Sequence, residues 1–89
     1  MQKNPTFTVV RELGSFEKNE RDVIRASLVL THGRPSFDVR VYGRKTNGDL
    51  AHSHRGVCIP VERAHDFADT ITRAAHALTA SDFPTTGAA

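Results

Sequence analysis

The 89-residue chain reads as one α+β domain, a four-stranded antiparallel sheet followed by one long C-terminal amphipathic helix (β-β-β-β-α), assembled as a homodimer. Three observations predict this class. Apolar and polar residues alternate in runs of strand length before Pro60, turn signals separate those runs, and apolar residues recur at helical spacing after Pro60.

The segment TFTVVREL is rich in β-branched and aromatic residues and predicts a first strand over Thr6–Leu13, ended or bent at Gly14. The polar stretch SFEKNERD is a turn-rich connection, with a twisted strand extension around Phe16 as the other reading. In VIRASLVL, Ile24, Ala26, Leu28 and Leu30 share one face, and Val23, Arg25, Ser27, Val29 and Thr31 share the other. HGRP turns the chain into a third strand, Ser36–Lys45. There Phe37, Val39 and Val41 point to the core, and Asp38, Arg40, Tyr42 and Arg44 point away from it.

Asn47-Gly48 signals a tight hairpin, because a type I′ turn needs positive φ at both central positions. That turn sets Lys45 opposite Leu50, Tyr42 opposite Ser53 and Arg40 opposite Arg55, so Arg55 joins the outward face. His52, His54, Gly56 and Cys58 then fall on the core side. A longer loop slips the pairing by one residue and reverses this assignment.

Pro60 stops the fourth strand and suits the first turn of a helix, where a missing N–H costs nothing. The run VERAHDFADTITRAAHAL then carries Val61, Ala64, Phe67, Ala68, Ile71, Ala74, Ala75 and Leu78 on one side of a helix of about five turns. One helix covers one face of a sheet, and this Ala-rich stripe suits close approach by a second helix. Ala64, Phe67, Ala68, Ile71, Ala75 and Leu78 are therefore expected at the core or the dimer contact. The domain spans residues 1–80, and the small, polar residues 81–89 form a fraying tail.

A chain of this length buries only about 60–65% of its unfolded surface, so a partner subunit helps to stabilise it. The lone Cys58 makes no internal disulfide and MQKNPTFTVV lacks the order of a secretion signal, which points to a reducing, cytoplasmic setting, nucleoid-associated in a bacterium. No apolar run approaches the roughly 20 residues of a membrane span. The formal charge is only +2, but residues 34–60 hold five basic side chains against two acidic ones. That asymmetry suits an anionic partner.

Metal and catalysis are expected to be absent. His52, His54 and Cys58 lie along one strand, where residues 52 and 58 are about 20 Å apart, too far to share an ion held at about 2.0–2.3 Å. No nucleophile motif, phosphate-binding glycine loop or paired carboxylates occur in the sequence. No cofactor is expected.

Four phrases, in order, resemble the single-stranded-DNA-binding domain of the transcriptional coactivator positive cofactor four, and more closely its short bacterial homologues. They are ELG at Glu12–Gly14, HGRPSFDVRVY at His32–Tyr42, HRGVCIP at His54–Pro60, and the amphipathic helix. The resemblance covers about Phe7 to Leu78. It implies a β-β-β-β-α domain that dimerises through its helix and binds single-stranded DNA along both sheets, with contacts from Arg40, Tyr42 and Arg55. The chain departs from the family in having no aromatic residue near Thr31 and in carrying His52 and His54 where lysine or proline is more usual.

Arginine meets phosphates with a planar, permanently charged fork, and an aromatic ring stacks on an unpaired base. The expected nucleic-acid-binding set is thus Arg25, Arg40, Tyr42, Arg44, Lys45 and Arg55, with Arg21 and Lys18 extending the charged track. Plainer roles stand beside these: Asp38 bridges to Arg40 or to a neighbouring strand, Tyr42 caps the sheet, and Arg34 is solvated. The expected partners are single-stranded DNA and a second copy of the chain, with no membrane. RNA or a protein of the transcription machinery, such as a polymerase subunit, is the alternative.

Overall fold

The computed structural model describes residues 7–83. Four strands, β1 (Phe7–Glu17), β2 (Asp22–Thr31), β3 (Arg34–Arg44) and β4 (Leu50–Pro60), form one antiparallel meander in chain order. A 3₁₀ turn (Val61–Arg63), helix α1 (Ala64–His76) and a second 3₁₀ turn (Ala80–Asp82) follow. The expected order of four strands and a helix holds, and the strands run longer than the alternation suggests. In particular, β1 continues through Gly14 to Glu17, with irregularities between Val9 and Arg11 and between Glu12 and Gly14. Thr6 lies outside the described residues.

The turns fall differently from expectation. The two-residue hairpin with positive φ at both positions is His32-Gly33, at 51° and 80°, joining β2 to β3. The Asn47-Gly48 loop is longer: Gly48 alone has positive φ, its N–H donates to Lys45 O, and Lys45 N–H donates to Asp49 O. This is a type I turn closed by a left-handed glycine, the common three-residue alternative. Asn47 reinforces it by accepting the Asp49 N–H at 2.9 Å.

The longer loop pairs Tyr42 with His52 rather than Ser53. An irregularity beyond Tyr42 then sets Ser53, His54 and Arg55 against Val41 alone, so that Arg40 pairs with Gly56. Ser53 pins this bulge, its hydroxyl donating to Val41 O at 2.8 Å and accepting the Arg55 N–H at 3.1 Å. The consequence is the face reversal that a longer loop entails. His52, Gly56 and Cys58 lie on the Tyr42, Arg40 and Asp38 side, while Arg55 leaves it.

The buried face also differs from the expected one. Among the described residues, Val23, Ser27, Val29, Asp38, Arg40 and Tyr42 are the buried ones, all on the side of the sheet that carries Asp38, Arg40 and Tyr42, the side expected to face outward in β3. Curling explains it. Across three strand spacings a flat sheet would separate β1 from β4 by about 14 Å, yet the Phe7 and His52 rings lie 5.1 Å apart. The outer strands bend over the polar face and close it.

The apolar face, with Ile24, Ala26, Leu28, Phe37, Val39 and Val41, is only half-buried. Helix α1 touches it at one end, where Phe67 meets Phe37 edge-on at 6.3 Å between centroids. Pro60 closes β4 at the N-cap of the 3₁₀ turn rather than entering the helix, and α1 is 13 residues long, shorter than expected. Leu78 therefore lies beyond its end. Of the expected contact stripe, Ala64 and Phe67 are half-buried, whereas Ala68, Ile71, Ala75 and Leu78 are exposed. The helix stands away from the sheet, and the radius of gyration of 15.7 Å exceeds the roughly 12 Å of a compact chain this long.

Past the helix, Thr79 and Asp82 form a capping box around the second 3₁₀ turn, so the chain is held through Phe83. The remainder of the expected tail lies outside the described residues.

Candidate nucleic-acid interface

On the closed face, Arg40 and Asp38 form a buried ion pair, with 8% and 1% of their side chains exposed. Nε donates to both Asp38 oxygens at 3.2 and 3.1 Å, Nη2 donates to Oδ1 at 2.7 Å, and Nη1 donates to Ser53 O at 3.0 Å. These bonds push the Arg40 guanidinium above its ordinary value, against the opposing effect of burial. The raised Arg40 pKa contributes stability below the ordinary arginine range and loses it only as pH rises above that range, so Arg40 adds no pH dependence near neutrality.

Tyr42, 5% exposed, is also taken. The Arg25 guanidinium lies 4.4 Å from its ring centroid, and His52 meets it edge-on at 6.2 Å. Arg40 and Tyr42 were expected on an open face. Both are instead part of the closed polar interior, where Asp38 and Tyr42 take the plainer roles of bridge and cap. Arg25 is half-buried there, its Nε 3.7 Å from Glu12 Oε1 and without a hydrogen bond.

The remaining expected cations gather elsewhere, at the end of the sheet formed by the β1–β2 and β3–β4 turns. Arg44 N–H donates to Arg21 O at 2.9 Å, tying the end of β3 to the β1–β2 turn, and Lys18 N–H donates to Asp22 O at 2.9 Å within that turn. Asn19 Oδ1 accepts the N–H groups of Arg21 and Asp22 at 2.9 and 2.8 Å, which fixes the first turn. Lys45 opens the second turn. Arg55, thrown out by the β4 bulge, reaches Asp22 Oδ2 at 3.5 Å, while Arg44 lies 3.8 Å from Glu17 Oε2. Lys18, Arg21 and Lys45 form no ion pair among the described residues.

Arg55 sits on the apolar side of the sheet, over a shallow hollow lined by Ile24, Val39, Val41, Gly56 and Val57. Phe16 is on that same side, since it pairs with Ile24 and Ile24 with Val41. Phe16 is 63% exposed and lies two residues from Lys18. The expected set did not include Phe16. An aromatic residue within a run of charges was its signal, and of the two readings of this stretch, a turn-rich connection or a twisted strand extension around Phe16, the structure has the strand.

The chain matches no known family model, no curated protein and no solved structure. Its chemistry rests on its own geometry. Among the described residues no three His, Cys, Asp or Glu side chains come together as metal ligands, and no helix is long and apolar enough to cross a membrane. Cys58, expected in the core, is exposed, its Sγ 3.5 Å from the Thr31 hydroxyl.

Proposed function

We propose that this chain is a non-catalytic homodimer that binds single-stranded DNA with little sequence preference, serving transcription regulation or DNA replication and repair. The observation that carries the reading is the gathering of Lys18, Arg21, Arg44, Lys45 and Arg55, from three separate stretches of sequence, at the end of the sheet that also carries the exposed Phe16, with Arg55 and Phe16 on one face and Arg44 on the other. Cations for phosphates next to an open aromatic face for a base make the pairing that sequence-tolerant single-strand binding uses. Duplex DNA keeps its bases stacked and gains nothing from Phe16. Arg40 and Tyr42 support the site from within the closed face instead of touching the strand.

Fluorescence anisotropy with a labelled oligonucleotide, compared as single-stranded DNA, duplex DNA and RNA, tests the reading. Single-stranded DNA is expected to bind most tightly, with affinity falling linearly in log salt at about 0.7 per phosphate contacted. Phe16→Ala is expected to weaken binding by about 5- to 150-fold, the range for one lost base stack. No binding to the single strand at low salt refutes the function, and tighter binding to RNA reassigns it.

The dimer is supported by the uncovered apolar side chains of the helix region, Ile71 and Leu78, each 52% exposed, and by the half-buried apolar face of the sheet. The helix meets the sheet only at one end, near Phe37 and Ile59, and exposed apolar side chains left together in this way mark a surface that a partner can cover. Ile71→Glu is expected to give a monomer by light scattering. Its circular dichroism at high concentration should stay that of a β-rich fold, because Ile71 is 52% exposed within its own chain.

A further inference from the structure

We infer that Asp22 and Glu17 are specificity-determining residues of this interface, carboxylates that occupy Arg55 and Arg44 until a ligand phosphate displaces them. The inference rests on the single-strand reading above and adds how the site is set.

The two ion pairs differ in kind from the buried one. Asp38 and Arg40 share three hydrogen bonds, the shortest 2.7 Å, with both groups sealed from solvent. Arg55 and Asp22 meet at 3.5 Å and Arg44 and Glu17 at 3.8 Å, at or beyond the edge of hydrogen-bonding range. Such loose pairs can be exchanged for a stronger anion. In each, one member is free to leave. Arg55 is 62% exposed against 18% for Asp22, so the arginine swings out from a fixed carboxylate. Glu17 is 75% exposed against 37% for Arg44, so there the carboxylate swings away.

The consequence is selectivity for polyanions. A single phosphate gains little by replacing a carboxylate already in place, whereas a strand that presents phosphates in series and passes around this end of the sheet engages Arg55 on one face and Arg44 on the other, together with the turn cations Lys18, Arg21 and Lys45. Each carboxylate also lowers the number of counterions the strand releases, and so flattens the salt dependence of binding.

The test compares wild type with Asp22→Asn, Glu17→Gln and, as a control, Glu20→Gln in the same anisotropy titration against single-stranded DNA. Glu20 is exposed in the β1–β2 turn and makes no ion pair among the described residues. Asp22→Asn and Glu17→Gln are each expected to bind about two- to fivefold more tightly near physiological salt, the range set by removing an exposed pair, with a log–log salt slope steeper by about 0.7. Glu20→Gln should change affinity less than either. If wild type binds and both variants match it, or all three variants gain equally, the inference falls while the function stands. If none of the four proteins binds at low salt, the function falls and takes the inference with it.

Discussion

Replacing Arg40 with alanine is expected to remove about 3–5 kcal/mol of stability, because it leaves the carboxylate of Asp38 buried without a counter-charge. A small domain has roughly 5–15 kcal/mol in all, so Arg40→Ala should shift the urea midpoint far down or prevent folding. The loss comes from desolvation of an orphaned charge. The double variant Asp38→Leu/Arg40→Met, which removes both charges and keeps apolar volume, is therefore expected to recover most of it. Urea unfolding of the two variants checks this. An Arg40→Ala protein with wild-type stability and weakened oligonucleotide binding would return Arg40 to the ligand-contacting role its place in an alternating strand suggests.

Gly56→Ala should be the other severe substitution. A Cβ at Gly56 would lie 2.6 Å from Val39 O, 2.7 Å from Arg40 Cα and 2.9 Å from Arg40 Cβ. Two of these three neighbours are backbone atoms of a central strand, which cannot rotate away as a side-chain tip can. Overpacking of this sort costs about 1–3 kcal/mol, and here it acts on the strand pair that holds the Ser53 bulge and the Arg40 bond to Ser53 O. A thermal melt lowered by several degrees, with weaker oligonucleotide binding through loss of the bulge that presents Arg55, is the expected result. An unchanged melt would mean that β4 can lift from β3 at this point without consequence.

These two sites show where sequence reading succeeds and where it stops. The four strands and the helix are legible because each rests on a period, two for strands and 3.6 for the helix, that a short window reveals. The pairing register is not, because a loop longer by one residue turns every following side chain to the opposite face. Asn47-Gly48 favours a type I′ turn by composition, but the left-handed pair went to His32-Gly33, where histidine is one of the few side chains tolerant of that conformation. Arg55 changed face as a result.

Burial was hidden for a different reason. Alternation shows that Phe37, Val39 and Val41 oppose Asp38, Arg40 and Tyr42, and it does so correctly. Which side closes depends on the curl of the whole sheet, set by bulges in β1 and β4 and by Phe7 reaching His52. Nothing within ten residues of Arg40 encodes that contact. The convergence of Lys18, Arg21, Arg44 and Lys45 was partly legible, since both turns at that end of a meander carry basic residues. Phe16 joins that end of the sheet through the strand extension that is the second reading of its stretch.

The β2–β3 ladder is unlike its neighbours. Its ten consecutive pairs, from Asp22 with Gly43 to Thr31 with Arg34, run without irregularity from a two-residue turn, whereas both flanking ladders are broken by bulges. In kinetic terms this hairpin closes the shortest loop and forms the most pairs for the least entropy, so it is the natural nucleus on which β1 and β4 condense. The strand order keeps every later step local, each new strand adding to an edge its neighbour in sequence has just made. The slow part of folding then lies in seating the two bulged outer strands, the same elements that carry Phe16 and Arg55. The surface offered to a ligand is the last to be completed.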